Sequence, residues 1–236
     1  RFGGCRYDLP EGWAGQVSKI IDDYGPFLDE METLLIGNEV LLARSQDVGQ
    51  LPAEQLINGG VTGPMLRGSG IQWDLRKAIP YEAYDQVEFD VAVGEKGDCW
   101  DRYWIRIEEM RQSLRIIRQA AEEMPPGRTV TDDYRYVIPP RKEMLTDIET
   151  LIHHFINVTR GPKMPVGEAY VSCEIPRGEQ GYYLVSDGLG YSYRTRIRGP
   201  GFANVQTMPL MTVGETLADL VTTIGSFDYI LPDIDR

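Results

Sequence analysis

The chain has little cysteine and less histidine. Cys5, Cys99 and Cys173 are widely separated among 236 residues and form no CxxC pair. That excludes a secreted disulfide framework and four-cysteine zinc or iron–sulfur ligation within the chain, and a reducing compartment is expected. His153 and His154 are neighbours on a predicted helix. Successive helical side chains point about 100° apart, so the two do not share a metal in ordinary helical geometry. One packed and one solvated imidazole is the expectation, and no metal site is assigned. No Ser-His-Asp or Cys-His constellation can be assembled, so no catalytic residue is assigned. A basic excess is also absent: 24 Lys and Arg stand against 36 Asp and Glu, a net charge of −12. Nucleic acid is therefore excluded as the main partner. Apolar runs reach only a few residues, too short to span a bilayer. The chain opens on Arg1-Phe2-Gly3-Gly4 with no methionine and no signal-peptide pattern, which reads as a piece whose beginning lies elsewhere.

What is present is an ordinary globular composition, 42% hydrophobic and 25% charged, enough for a core without covalent staples. Pro10, Gly12 and Trp13 mark a turn before a helix. From Ala14 to Leu35 apolar residues recur at three- and four-residue steps, predicting one amphipathic helix, bent at Gly25-Pro26. A second helix is predicted over 38–47, and 51–70 reads as loop with short helical pieces. The clearest helical period runs over 98–124, with Asp98 as N-cap and Pro125-Pro126-Gly127 as its stop. Residues 128–140 read as an irregular loop. One helix is predicted from Arg141 to Val158. Three strands follow, Glu168–Glu174, Gly181–Ser186 and Ser192–Arg198, as an antiparallel meander. A last helix covers Thr216–Ile224. The fold class is α+β in a single domain over 1–236, helical over 14–160 and meander plus tail over 165–236.

Several segments carry candidate chemistry. Gly63-Pro64-Met65-Leu66-Arg67-Gly68-Ser69-Gly70 is glycine-rich with one arginine, but it has neither Walker nor dinucleotide spacing. Its glycines allow a backbone to approach another surface closely, and Arg67 would supply a fixed charge or bidentate bond. Arg76 sits in the mixed-charge cluster that follows. Arg111, Arg115 and Arg118 line one edge of a helix, either as a solvated face or as a basic strip docking on an acidic neighbour. In Glu174-Ile175-Pro176-Arg177-Gly178-Glu179 the arginine is flanked by carboxylates. It reads either as a structural ion-pair node or as a cavity-lining group that orients a small polar ligand. The tail holds Phe227, Tyr229, Ile230, Leu231 and Ile234, too apolar for water, so it is expected to pack inward.

The order of these segments resembles the D subunit of respiratory complex I, the NADH:quinone oxidoreductase, also called the 49 kDa subunit. The likeness runs through the glycine-rich loop, Trp73-Asp74-Leu75-Arg76-Lys77, Gly97-Asp98-Cys99-Trp100-Asp101-Arg102-Tyr103 and Arg106-Ile107-Glu108-Glu109-Met110-Arg111. It continues through Pro176-Arg177-Gly178-Glu179, Tyr183-Leu184-Val185-Ser186-Asp187-Gly188 and Arg196-Ile197-Arg198-Gly199-Pro200-Gly201-Phe202. It closes on Ile224-Gly225-Ser226-Phe227-Asp228 and Asp235-Arg236. Asp8-Leu9-Pro10-Glu11-Gly12-Trp13 is similar to the H subunit of the related plastoquinone-reducing NDH-type enzyme.

The resemblance implies the C-terminal portion of the 49 kDa protein, with the N-terminal part missing and the fragment alone inactive. It implies a nickel–iron hydrogenase large-subunit-like fold, a mainly helical core with a small β meander near the C-terminus. It further implies a peripheral-arm protein of a proton-translocating enzyme, on the cytoplasmic side of a bacterial inner membrane or the matrix side of the mitochondrial one. Its partners would be the B subunit, which carries the terminal 4Fe–4S cluster, the C and I subunits, and the membrane-arm protein at the quinone entrance. Quinone is the shared substrate, while NADH and FMN sit on other subunits. By position in the motifs, Asp228 and Ile230, with Phe227 beside them, fall in the quinone cavity. Arg177 matches the arginine lining the metal cavity of hydrogenases, while Arg67 and Arg76 match recurrent positions without an assigned role. The tail Asp228-Tyr229-Ile230-Leu231-Pro232-Asp233 lacks the cysteine pair of a nickel site, which argues against hydrogenase activity. A membrane-bound hydrogenase-type large subunit and a non-catalytic scaffold of the same descent are the alternatives.

Overall fold

The computed structural model describes residues 3–5 and 7–235. Arg1, Phe2 and the closing Arg236 of the motif series lie outside the described residues. Helix α1, Trp13–Ile36, carries Pro26 in its interior and turns Ile21 and Leu28 inward two turns apart. Helix α2, Glu39–Ser45, starts where the Asn38 side chain accepts the N–H groups of Val40 and Leu41 at 3.0 and 3.1 Å. Three short helices then punctuate the glycine-rich stretch: α3 Ala53–Asn58, α4 Pro64–Gly68 and α5 Leu75–Ala78. Helix α6 runs Cys99–Glu122, and Asp98 caps it by accepting from Asp101 N at 2.8 Å.

The single helix predicted over 141–158 is two, α7 Arg141–Met144 and α8 Ile148–Thr159. The break lies at Asp147, whose carboxylate accepts Thr150 N at 2.9 Å and starts a new helix. Strands β1 Gly167–Ile175, β2 Gly178–Ser186 and β3 Arg194–Arg198 form an antiparallel sheet in the order β1-β2-β3. β2 begins three residues earlier than expected, because only Pro176 and Arg177 separate it from β1. The short helices that escaped the sequence reading include α9 Pro200–Gln206 and α10 Met208–Thr212. Each has a proline in its first turn, where its missing N–H costs nothing. Helix α11, Leu217–Ser226, has a Thr216–Asp219 capping box, and α12 is Leu231–Ile234. The class is α+β.

Contacts divide the chain into two compact units, along other lines than the helical and meander halves read from sequence. The larger comprises 14–123, 171–181 and 197–236. Its core gathers Leu51, Leu56, Val61, Met65, Leu66, Met211 and Phe227, each such side chain stabilising by roughly 1.5–3 kcal/mol on burial. Helix α6 packs against α2, α4 and α11. The smaller unit comprises 1–13, 124–170 and 182–196. There α7 packs on α8, and Asn157 Nδ2 donates to the carbonyls of Tyr134 and Val137 at 2.7 and 3.1 Å. No helix among the described residues is long and apolar enough to cross a membrane.

Candidate functional site

The larger unit holds a cluster of arginines and carboxylates at the end of the β1–β2 hairpin. Two glycines place it. Gly63, before α4, has φ +74°, and a Cβ there would lie 2.5 Å from Gly178 Cα. Gly178 has φ +130°, and its Cβ would meet Thr62 Oγ1 at 2.6 Å. Only glycine at both positions lets the hairpin turn lie on the start of α4. The close approach expected of the glycine-rich loop is thus made to the chain's own hairpin.

Helix α4 is buried throughout, and Arg67 on it is 1% exposed. Its Nε donates to Glu109 Oε1 on α6 at 2.8 Å, and its Nη1 donates to Glu174 Oε1 on β1 at 2.8 Å and to Trp73 O at 3.0 Å. Burial works against the charge, but Glu109 and Glu174 outweigh it and raise the guanidinium above its ordinary range. Burial lifts both Glu109 and Glu174 above the usual carboxylate range, against the pull of Arg67. Asp74 caps α5 and takes Arg76 side-on, Nε to Oδ1 at 3.0 Å and Nη2 to Oδ2 at 2.6 Å. Burial alone would raise Asp74, and the bonds from Arg76 overcome it, so its value is lowered. The Arg76 guanidinium also lies 4.8 Å from the centroid of Phe89.

A sign for pH dependence follows from Asp74. A depressed carboxylate contributes stability that is complete above its ordinary value of 3.8 and is lost as pH falls through the lower folded value. Asp74→Asn is expected to destabilise by roughly 1–3 kcal/mol at neutral pH. In urea unfolding the gap to the parent protein narrows as pH falls below 3.8; a constant gap would mean the charge plays no part.

Two further arginines lie one turn apart on α6, Arg102 buried and Arg106 half-buried with its Nε and Nη2 shielded from solvent. Arg102 donates to Gly49 O at 2.5 Å, Gly97 O at 2.8 Å and Ser226 Oγ at 2.9 Å, and burial pushes its value down to about 10. Burial lowers Arg106 too, with Asp228 and Glu109 opposing. The sequence reading missed this pair and Glu109. Arg102, Arg106 and Glu109 follow the helical period as a polar stripe of their own, which was the available signal.

Arg177 does not pair with the carboxylates beside it in sequence. Glu174 is taken by Arg67, and Glu179 lies 3.9 Å from Arg198. Arg177 Nε instead donates to Asp228 O, and Nη2 lies 3.4 Å from Asp228 Oδ1. Asp228 has φ +51°, a turn that lifts its side chain off the end of α11 and leaves it 46% exposed. Tyr229, Ile230 and Leu231 are also exposed, so the tail packs inward at Phe227 and again at α12, which lies on α9 with Ile234 half-buried and the Asp233 carboxylate accepting Gly201 N at 2.6 Å. The Phe227 ring is 1% exposed, sealed among the core residues, with the Arg102 guanidinium 5.8 Å from its centroid. Arg111 binds Asp29 at 2.7 Å and also Glu32, and Arg118 binds Asp22 at 2.6 Å, all three acids on α1. Arg115 lies 3.0 Å from Asp90. The acidic neighbour of this strip is therefore found within the chain.

Among the described residues no group of three or more His, Cys, Asp or Glu could hold a metal ion. Chemically, the buried Arg67 cluster is a fixed electrostatic frame. The accessible groups are the Arg177 donors, the Asp228 carboxylate and the apolar Tyr229 and Ile230.

A family model described as the respiratory-chain NADH dehydrogenase, 49 Kd subunit, matches residues 1–236. The C/D subunit of the NADH-quinone oxidoreductase of Nitrosospira multiformis is 47% identical over all of this chain and 39% of its own length. The D subunit of the same enzyme from Wolbachia pipientis subsp. Culex pipiens is 44% identical, over all of this chain and 60% of its own length. The NADH-ubiquinone oxidoreductase 49 kDa subunit of Reclinomonas americana is 46% identical, also over 60% of its length. The chain spans about two- to three-fifths of the length of these curated relatives.

Proposed function

The chain belongs to the 49 Kd subunit family of the respiratory-chain NADH dehydrogenase, and from that premise we propose that it forms part of the quinone-binding cavity of an NADH:quinone oxidoreductase. The observation that carries the reading is the half-exposed Arg177–Asp228 pair beside apolar Ile230. A quinone headgroup is a flat apolar ring bearing two carbonyl acceptors. Guanidinium donors, a carboxylate and an apolar side chain fit it.

In this reading electrons reach quinone from a 4Fe–4S cluster on the neighbouring B subunit. NADH and FMN belong to other subunits, and the C and I subunits and a membrane-arm protein complete the surroundings. The fold class is that of the hydrogenase large subunits, and the protein sits peripherally on the cytoplasmic or matrix face of the membrane. Reduction of quinone to quinol takes two electrons and two protons, and the quinone carries that redox change. The residues of this chain orient and supply charge. Arg177 fixes the turn at Asp228, and the Asp228 carboxylate stands where a proton can be held near a carbonyl oxygen. Phe227, buried in the core, anchors the residue before the turn.

In the assembled enzyme, Asp228→Ala is expected to lower quinone turnover about tenfold, equivalent to ~1.4 kcal/mol in the barrier. NADH oxidation by an artificial acceptor should be unchanged. Ile230→Met should raise KM for quinone. Wild-type quinone kinetics from both variants, with assembly intact, would remove the tail from the site.

A further inference from the structure

The smaller unit contains a cleft of about 1050 Å³, open to solvent. It lies between the last turns of α8, the loop 161–165, Arg135-Tyr136 and the 188–191 turn joining β2 to β3. Its floor is backbone against backbone. A Cβ on Gly190 would sit 1.8 Å from Arg160 O, and Gly161 and Gly188 hold φ of +72° and +91°. The shape is thus fixed by positions that take glycine. Ile156, Met164 and Leu189 give the cleft apolar walls.

Its charge is one-sided. Among the described residues no carboxylate lines it, although the chain carries a net −12. Arg135 is neutralised by both oxygens of Asp133. Arg160 and Lys163 have no ion-pair partner among the described residues. The C-terminal end of α8 favours a cation at Arg160, but Lys163 lies in the loop beyond that effect. The apolar wall continues along α8 from Ile156 through Ile152, Phe155 and Ile148, all exposed. Asp147 and Glu149 stand at the start of the same helix and would repel an anionic lipid surface.

We propose that this cleft receives an extended segment of a neighbouring protein of the enzyme, with a carboxylate directed to Arg160 and Lys163 and apolar side chains laid against Ile156 and Leu189. The pairing is charge complementarity around an apolar groove, the arrangement that gives an interface its register. The inference rests on the reading of the chain as a subunit of an assembled enzyme.

The test is a photoreactive amino acid at position 189 in the purified, assembled enzyme, with the crosslinked peptide sequenced. The expected product joins position 189 to another subunit's peptide holding Asp or Glu between apolar residues. Arg160→Glu with Lys163→Glu should lower the yield at least tenfold. The milder Arg160→Gln with Lys163→Gln should lower it less, and Lys in place of the captured acid should restore it in the Glu pair. A crosslink to lipid, one within this chain, one to a peptide lacking an acid, or a yield indifferent to the charges overturns the proposal. If the purified quinone oxidoreductase does not contain this chain at all, the functional reading fails first.

Discussion

Arg67→Met is expected to destabilise the larger unit by roughly 3–5 kcal/mol, the cost of removing one partner from a buried ion network. Methionine fills similar space, so the loss comes from the carboxylates left behind. Glu109 Oε1 loses Nε and Nη2, at 2.8 and 2.7 Å, and Glu174 Oε1 loses Nη1 at 2.8 Å. Both acids are already held above the usual carboxylate range by burial, and Arg67 is the strongest force pulling them back. Without it their folded values rise further. An acid whose folded value is raised begins to cost stability as pH climbs through its ordinary value, the cost is complete above the raised folded value, and it disappears at low pH, where both states are protonated. The loss in Arg67→Met should therefore be largest at neutral pH and shrink as the solution is acidified. Adding Glu109→Gln should recover part of it at neutral pH, because the pair is coupled and not additive. Urea unfolding at several pH values measures both. A loss independent of pH would mean that packing, and not charge, is what Arg67 supplies.

That network shows which parts of the molecule sequence could reveal. The long helices were legible because their apolar period is long and their ends carry Asp98 or Thr216 as caps. The meander was legible because Tyr, Val and Ile cluster between turn residues. The break at Asp147 was not, since the apolar period passes unbroken through 145–147 and only the carboxylate's choice of Thr150 N decides it. α9 and α10 were hidden by their prolines. In the candidate site Arg67, Arg76, Arg177 and Asp228 were visible as residues but not as pairs. Glu174 adjoins Arg177 in sequence yet binds Arg67, 107 positions away. Alternation along β1 and the two-residue hairpin turn direct the two side chains to different partners. Such pairing is a property of the fold, and a local motif cannot contain it.

The second large effect is expected at the glycine contact that creates the site. Gly178→Ala places Cβ 2.6 Å from Thr62 Oγ1, 2.8 Å from Thr62 C and 2.9 Å from Thr62 O, at φ +130°. Gly63→Ala places it 2.6 Å from both Arg177 O and Gly178 N, at φ +74°. Most of these neighbours are backbone, which cannot rotate away as a flexible side chain would. Left-handed backbone costs a residue with a Cβ roughly 1–2 kcal/mol, and overpacking adds about 1–3. Each variant should therefore lose roughly 2–5 kcal/mol. Because both close one gap, the double variant should lose less than the sum: once the first methyl parts the two backbones, the second meets less resistance. Gly225→Ala on α11 is the control. Its Cβ would meet nothing within 4 Å, and in a helix the change should stabilise by about 0.5–1 kcal/mol. The parting also moves Arg177, which follows directly after Pro176 in the displaced turn and holds Asp228. On the proposed reading of this turn as cavity wall, Gly178→Ala should depress quinone turnover of the assembled enzyme along with stability, while Gly225→Ala changes stability alone. Additive losses in the double variant would mean that the two glycines relieve separate contacts and that the hairpin is not held against α4 at this point.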